Sequence, residues 1–233
     1  MTSIYTQLLY RPLLSLVVLL YNIIPGNDFG VAIIVLTAMV RVVFFPLTTK
    51  TVLSQRALNK VNPQIKEIKE KYKDDKTAQS AAILKLYKDN NVNPIAGCLP
   101  LLIQLPILIA LYRVFVAGFK QENLTLLYGF VSNPGAIKET FIGLVNITHP
   151  NIVLTLTAGF LQFLQAKQMA AINKNQDTGG NKEMAALNSQ MLYFFPILII
   201  IIGWNLPAGL MLYWITTTGL SIAEQSYIKF RYK

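Results

Sequence analysis

One arginine, Arg41, stands inside an apolar run from Phe29 to Leu47 that is long enough to cross a lipid bilayer. At a rise of 1.5 Å per residue it lies roughly 18 Å from Phe29 and roughly 13 Å from Lys50, which places it near mid-membrane. A cation at that depth costs about 2.5–3.5 kcal/mol on insertion scales. The arginine therefore needs a carboxylate, water or a lipid phosphate beside it.

The groups available to offset this charge are neutral, because the apolar runs contain no Asp or Glu in their interiors. Glu224 lies near the inner end of the last run, and an arginine side chain reaches only partway toward it. We therefore expect Arg41 to be an unpaired cation that faces a wet cavity and receives a passing negative charge. The polar residues expected around it are Thr37, Gln104, Gln162, Gln165 and Thr216 to Thr218.

The alternative for Arg41 is an arginine that extends along the helix to the cytoplasmic headgroups. Such a side chain spans about 6–7 Å, which is less than the roughly 13 Å obtained from the helix rise. The cavity is therefore the favoured interpretation.

Other reactive chemistry is not indicated by the sequence. It contains no P-loop, HExxH, GxSxG or paired intramembrane carboxylates. The single histidine, His149, reads as a loop residue, and the single cysteine, Cys98, reads as a small packing residue. We expect no enzyme activity, no catalytic residues, no cofactor and no metal site.

The elements that must position Arg41 follow from composition and charge. Of the 233 residues, 53% are hydrophobic and 14% are charged, whereas soluble domains average about 25% charged residues. The basic residues gather in three stretches, Lys50 to Lys88, Lys167 to Lys182 and Lys229 to Lys233, with apolar runs between them. This positive-inside pattern predicts five spans, with the N-terminus outside and the C-terminus in the cytoplasm.

The predicted fold class is all-α: a polytopic membrane protein with five transmembrane helices, an N-terminal interfacial amphipathic helix and a cytoplasmic helical hairpin. The expected segments are the N-terminal interfacial helix and turn (1–28), TM1 (29–50), the cytoplasmic hairpin (51–94), TM2 (95–119), an extracytoplasmic loop (120–149), TM3 (150–167), a cytoplasmic loop (168–188), TM4 (189–205), TM5 (206–226) and a basic cytoplasmic tail (227–233).

Two of these segments depend on local signals. The N-terminal stretch is apolar enough to span, but Gln7 and Arg11 share one helix face and nearby tyrosines suit the headgroup level, which favours an interfacial helix. No signal-peptide pattern precedes it. In the hairpin, Asn62-Pro63 predicts a helix start, and an antiparallel second helix is expected after Asp74-Asp75.

An ordered set of short motifs then resembles a known family. The set is Arg41 followed by Pro46-Leu47-Thr48, Asn62-Pro63 in a Lys-rich helix, Asn93-Pro94 before Gly97-Cys98-Leu99-Pro100, Gln104-Leu105-Pro106 with Ala110-Leu111-Tyr112, and Pro207-Ala208-Gly209 with Tyr213-Trp214. From roughly Arg11 to Tyr232 the chain resembles the YidC-type membrane protein insertases and their Oxa/Alb relatives.

The resemblance implies a five-helix core with a hydrophilic groove that opens to the cytoplasm and to lipid and is closed toward the outside. Arg41 matches the groove arginine, Thr37 its polar neighbour, Gln104 a polar position of the second span, and Trp214 the aromatic position across from the arginine. The predicted substrate-binding groove residues are Arg41, Thr37, Gln104, Gln162, Tyr213 and Trp214.

The resemblance also implies a function and partners. Family members insert membrane proteins without nucleotide hydrolysis, alone or beside the Sec translocon, and often from translating ribosomes. We expect nascent membrane proteins and lipids as partners, with the Sec translocon and the ribosome as further candidates. We expect no sequence-specific nucleic acid, a functional monomer and a location in the cell (inner or plasma) membrane. The chain resembles the short forms without a large extracytoplasmic domain, and its short basic tail argues against tight ribosome binding.

Alternatives remain open at this point. A small anion transporter or channel could use Arg41 as its selectivity charge, which predicts a path open on both sides. The basic hairpin could be a solvated positive-inside loop, or it could contact the ribosome or anionic lipid.

Overall fold

The computed structural model describes residues 4–93, 99–116, 121–172 and 182–232. A π-helical turn at Thr6–Tyr10 leads into the helices α1 (Arg11–Ile23), α2 (Phe29–Lys71), α3 (Lys76–Asp89), α4 (Leu99–Val116), α5 (Gln121–Leu124), α6 (Ile152–Ile172), α7 (Lys182–Gly203) and α8 (Ala208–Arg231), and two short strands, β1 (Thr140–Phe141) and β2 (Val145–Asn146), lie between α5 and α6. Cys98 and the expected cytoplasmic loop around Lys174 lie outside the described residues.

The longest element, α2, runs unbroken from Phe29 to Lys71 and contains Pro46 and Pro63. The helix start predicted at Asn62-Pro63 is therefore wrong. A proline inside a helix removes one backbone hydrogen bond, at a cost of about 3 kcal/mol or more. Val61 and Ile65, on either side of Pro63, are both buried, and their packing favours a continuous helix. At 1.5 Å per residue α2 is about 65 Å long, roughly twice the hydrocarbon thickness of a bilayer.

The far half of α2 packs against α3, as the short connection between them predicts. Asp75 begins α3: its carboxylate accepts hydrogen bonds from the backbone N–H groups of Thr77 and Ala78 at 3.0 and 2.9 Å. Gln79 then ties the two helices together, since its side-chain amide donates to the Lys69 carbonyl at 3.0 Å. No residue of α3 is fully buried.

The apolar core lies where α8 meets α2, α4 and α6, and it continues to α1 through Leu14, Val17, Val18 and Tyr21. Its large fully buried side chains include Phe29, Ile33, Leu36, Leu111, Leu210 and Met211. All of these lie in the first third of α2 or α8 or in the second half of α4, so they fill the end of the bundle where α2 and α8 begin.

The segment between α5 and α6 is folded, and it contains two short strands that the predicted all-α fold did not include. β1 and β2 form an antiparallel two-stranded ladder. Ile142 and Gly143 turn the chain with positive φ angles of 53° and 70°. Asp28 joins this ladder to α2, because one carboxylate oxygen caps the Val31 N–H and the other accepts from the Ile142 N–H.

The same segment lies along α1. The Arg11 side chain donates to the Leu126 carbonyl at 2.8 Å, and the Asn22 side chain donates to the Ser132 carbonyl at 2.8 Å. Between them, the Ser15 hydroxyl accepts from the Tyr128 N–H at 3.2 Å. These contacts reach from the first to nearly the last turn of α1.

The C-terminal helix is longer than expected. The predicted basic tail, 227–233, is helical as far as Arg231. The Arg56 side chain of α2 donates to the Tyr232 carbonyl at 2.9 Å, so the end of α8 lies beside the far half of α2.

The surface carries the apolar residues that suit lipid. The exposed large apolar residues of α6 include Val153, Leu156, Phe160 and Leu164, a stripe at helical spacing. In the described part of the chain, two helices are long and apolar enough to span a membrane, Thr6–Ile23 and Phe29–Lys71, and Gln104–Phe115 and Leu192–Gly203 are shorter apolar helices. Thr6–Ile23 is thus long and apolar enough for a transmembrane helix, so its length and hydropathy do not distinguish this alternative from the interfacial helix.

Gly30 allows the β1 strand to approach α2, because a Cβ atom at this position would overlap the Phe141 ring. We expect Gly30→Ala to lower the melting temperature of the detergent-solubilised protein even though alanine favours the helix. The matched control is Gly219→Ala in α8, where an added Cβ meets nothing within 4 Å. This control should be neutral or stabilising. Equal melting temperatures for the two variants would contradict the close packing at Gly30.

Candidate functional site

Arg41 lies in α2 and its side chain points to α8. One guanidinium nitrogen, Nη2, donates a hydrogen bond to the Thr217 carbonyl at 3.0 Å. The other, Nη1, lies 3.5 Å from Oε2 of Glu224. Both side chains are largely buried, with 15% of the Arg41 side chain and 12% of the Glu224 side chain exposed. The arginine is therefore held by one backbone acceptor and one carboxylate.

The expectation of an unpaired Arg41 among neutral groups is wrong. By helix rise, Arg41 lies about 18 Å from the start of α2 and Glu224 about 24 Å from the start of α8. Two parallel helices that start at the same level would therefore place the two residues about 6 Å apart in depth. An arginine side chain covers that difference. The sequence argument measured depth along α2 alone and did not include the register between α2 and α8.

A second polar pair joins α4 to α8. The Gln104 side-chain amide donates to the Tyr213 hydroxyl at 2.6 Å. Tyr213 is 3% exposed, so this hydroxyl is held away from solvent. Thr37, by contrast, is fully buried, and its hydroxyl donates to the Ile33 carbonyl of its own helix at 2.7 Å. In this structure the Thr37 hydroxyl is occupied within α2.

A third polar set joins α6 to α8. The Trp214 indole N–H donates to the Gln162 side-chain oxygen at 3.1 Å. One turn further along α6, Gln165 donates to the Ser221 hydroxyl at 2.7 Å. Gln168 then donates to the Ser226 hydroxyl at 2.8 Å. We call these residues, Gln162, Gln165, Gln168, Trp214, Ser221 and Ser226, the glutamine seam.

The structure therefore brings three of the predicted residues to α8, which itself carries Tyr213 and Trp214, whereas Thr37 bonds within α2. Arg41 reaches α8 from α2, Gln104 reaches it from α4, and Gln162 reaches it from α6. Sequence reasoning missed Glu224 as the ion-pair partner and Gln168 as a member of the glutamine seam. The signal for Gln168 was present, because glutamine recurs at every third position from 162 to 168.

Several buried polar atoms in this region have no hydrogen-bond partner in the described part of the chain. They are Nε of Arg41, Oε2 of Glu224, Oε1 of Gln168 and Oε1 of Gln225. Buried polar atoms are normally paired with protein or water. Their occurrence on α2, α6 and α8 marks a polar region between these helices.

The site offers binding chemistry. A guanidinium has five N–H donors, and a carboxylate can take two of them at once. Among residues 4–93, 99–116, 121–172 and 182–232, no group of three or more His, Cys, Asp or Glu side chains is placed to hold a metal ion.

The fold and site define a class: a helical protein with membrane-type apolar helices and an arginine held between two of them. The 60Kd inner membrane protein family model matches residues 19–233. The chain belongs to this family.

Individual relatives agree with this assignment. The chain is 33% identical over 202 residues to the membrane protein insertase YidC of Fusobacterium nucleatum, covering 87% of this chain and 86% of that protein. It is 32% identical over 220 residues to the membrane protein insertase YidC of Pelobacter propionicus, covering 94% of this chain. It spans only 38% of the Pelobacter protein's length.

A solved structure shows the same fold. The crystal structure of an active YidC insertase with its first transmembrane domain resolved covers 95% of this chain at a TM-score of 0.56 and 28% identity. The match spans 46% of that insertase. The resemblance to the YidC-type insertases inferred from the motifs is confirmed.

The ion pair leads to a prediction about stability. Arg41→Ala leaves the Glu224 carboxylate buried without its cation, and we expect this to cost about 1–3 kcal/mol of unfolding free energy. Adding Glu224→Gln in the same chain should recover part of the loss, since no unpaired charge then remains. Thermal unfolding in detergent measures both. Lys60→Ala, on an exposed part of the same helix, is the control and should be silent. A double variant less stable than Arg41→Ala would exclude the pairing as the cause.

Proposed function

We infer that this chain is a membrane protein insertase that receives the hydrophilic tail of a nascent membrane protein at Arg41 and releases its transmembrane segment into lipid. The observation that carries this inference is a guanidinium held inside apolar helices by a loose ion pair, in a chain of the 60Kd inner membrane protein family. The names of the relatives support insertion as the activity.

The proposed topology has five spans, an outside N-terminus and a cytoplasmic C-terminus in the inner or plasma membrane. The basic hairpin and the basic end of α8 support it through the positive-inside rule. The length of α2 supports it as well, because a helix of about 65 Å must project well beyond a hydrocarbon layer of about 30 Å.

In this topology α1 lies at the outer interface. It bonds along its length to the segment after α5, through Arg11, Ser15 and Asn22. That segment contains Lys138 and Glu139 and forms the β-ladder, so it belongs in water or the headgroup region. A helix that crosses the membrane could contact such a polar segment only near one of its ends, whereas α1 contacts it along its whole length.

The proposed groove opens on the cytoplasmic side. The core of phenylalanine, isoleucine and leucine fills the outer half between α2, α4 and α8. The arginine pair and the glutamine seam lie beyond it, toward the ends of α2 and α8 that carry the basic residues. A tail carboxylate could therefore approach from the cytoplasm and pair with Arg41, where the attraction exceeds that in bulk water.

The release step uses the apolar surface. The transmembrane segment of the substrate passes into lipid along α6 and α8, driven by burial of apolar surface at about 25 cal/mol per Å². The exposed stripe on α6 supplies an apolar surface next to the polar site. The proposal includes nascent membrane proteins as substrates, and the Sec translocon and the ribosome as candidate partners of a functional monomer.

The anion transporter or channel is the weaker candidate. It needs a path open to both sides, and the outer core is filled by fully buried side chains such as Phe29, Leu210 and Met211. The ion pair also offsets the charge that would select anions. The relatives are named as insertases.

The topology is tested by cysteine labelling after Cys98 is replaced. Cysteines within Lys66 to Lys88 and at Lys174 should react with an impermeant reagent only from the cytoplasm, and a cysteine at Lys138 only from outside. Detergent-solubilised samples, in which every site should react, control for accessibility. Reaction of position 138 from the cytoplasm would remove the five-span arrangement.

The receptor role of Arg41 is tested with one single-spanning substrate whose translocated tail carries either Asp or Asn. Arg41→Ala should reduce insertion of the Asp form by about tenfold and the Asn form much less, because hydrophobic transfer still drives the neutral tail. Arg41→Lys should keep much of the activity, since the charge remains. Each variant must be present in the membrane at wild-type amount for the comparison. Equal defects for both tails would exclude the receptor role while leaving the insertase assignment in place.

A further inference from the structure

The contact between Arg41 and Glu224 is loose for a buried ion pair. Its 3.5 Å separation exceeds the 2.7–2.9 Å that is typical of a charge-assisted hydrogen bond. Oε2 of Glu224 and Nε of Arg41 have no hydrogen-bond partner in the described residues. The hydrogen bond that the guanidinium makes here goes to the Thr217 carbonyl instead.

This geometry has two consequences for an incoming tail. First, Glu224 offsets the charge of Arg41 among the described residues, so the pair has no large attraction for anions in general. Second, a tail carboxylate must displace Glu224 from the guanidinium before it can bind. A displaced Glu224 has Ser221 one turn away on α8, and the Ser221 hydroxyl, which accepts from Gln165 and Gln225, still has its own proton to donate.

We propose that Glu224 is a specificity-determining residue that competes with the substrate's tail carboxylate for Arg41 and thereby sets the tail charge that the site accepts. This inference rests on the proposed insertase function. Only the fraction of sites in which Arg41 is released from Glu224 can bind the tail, so the observed affinity falls by that fraction. A loose pair keeps the reduction moderate and makes capture transient.

The proposal makes opposite predictions for acidic and basic tails. Without the Glu224 charge the site carries one net positive charge. It should then hold an acidic tail more strongly, leave a neutral tail unchanged and repel a basic tail. If Glu224 only stabilised the fold, its substitution would change the capture of all three tails in the same direction.

The experiment uses full-length protein in its membrane and a single-spanning substrate with Asp, Asn or Lys at one tail position. A photocrosslinking residue beside that position reports capture. Glu224→Gln should raise the crosslinking yield of the Asp tail about fivefold or more. It should change the crosslinking yield of the Asn tail less than about twofold and lower the crosslinking yield of the Lys tail. Glu224→Asp, which keeps the charge, should behave more like wild type than Glu224→Gln does.

Two controls separate the possible failures. Glu70→Gln removes one negative charge on an exposed part of α2 and should leave all three tails unchanged. In an Arg41→Ala background, Glu224→Gln should favour the Asp tail much less than it does with Arg41 present, because only the direct repulsion between Glu224 and the tail is then removed. If Arg41→Ala reduces the capture of Asp and Asn tails equally, the receptor role of Arg41 fails. If the Asp preference depends on Arg41 but Glu224→Gln does not increase it, only the role of Glu224 is overturned.

Discussion

The need of one buried guanidinium for acceptors ties α2 to α8, and the polar contacts of α4 and α6 meet on the same helix. Arg41 finds its acceptors on α8, in the Thr217 carbonyl and the Glu224 carboxylate, and this sets the register of α2 against α8. Apolar faces alone allow neighbouring helices to slide with little change in free energy, whereas polar contacts between them do not. Once α8 is fixed, Tyr213 positions α4 through Gln104, and Trp214 positions α6 through Gln162.

The two ends of α8 have different surroundings. At its start, the Ala208 and Gly209 N–H groups, which no helical carbonyl can satisfy, donate to the His149 and Ile147 carbonyls, each at 2.8 Å. This anchors the helix to the segment that also holds α1 and the β-ladder, above an apolar core. Further along α8, its contacts are polar: the side-chain amides of α4 and α6 and the Arg41 guanidinium of α2. One helix thus joins an apolar half to a polar half, which is the asymmetry that the proposed one-sided groove requires.

Local signals predicted what depends on local sequence. Run length and charge indicated the helices and the short turn before Ala208, since these properties are carried by neighbouring residues. Local signals could not predict the partner of Arg41, because Glu224 is distant in the chain and its approach depends on how α2 and α8 pack. The Asn62-Pro63 signal failed for the related reason that burial of Val61 and Ile65 outweighed it. The two-residue strands are too short for any alternation to be visible.

A paired arginine suits a transient receptor better than a free one. In a medium of low dielectric constant, a free guanidinium would bind a tail carboxylate strongly and release it slowly. In the proposed competition an arriving carboxylate takes the place of Glu224, so the free energy gained is the difference between two similar pairs. That difference can be small even though each pair is strong. Binding and release can then both be fast, and the net drive for insertion comes from the apolar segment as it enters lipid.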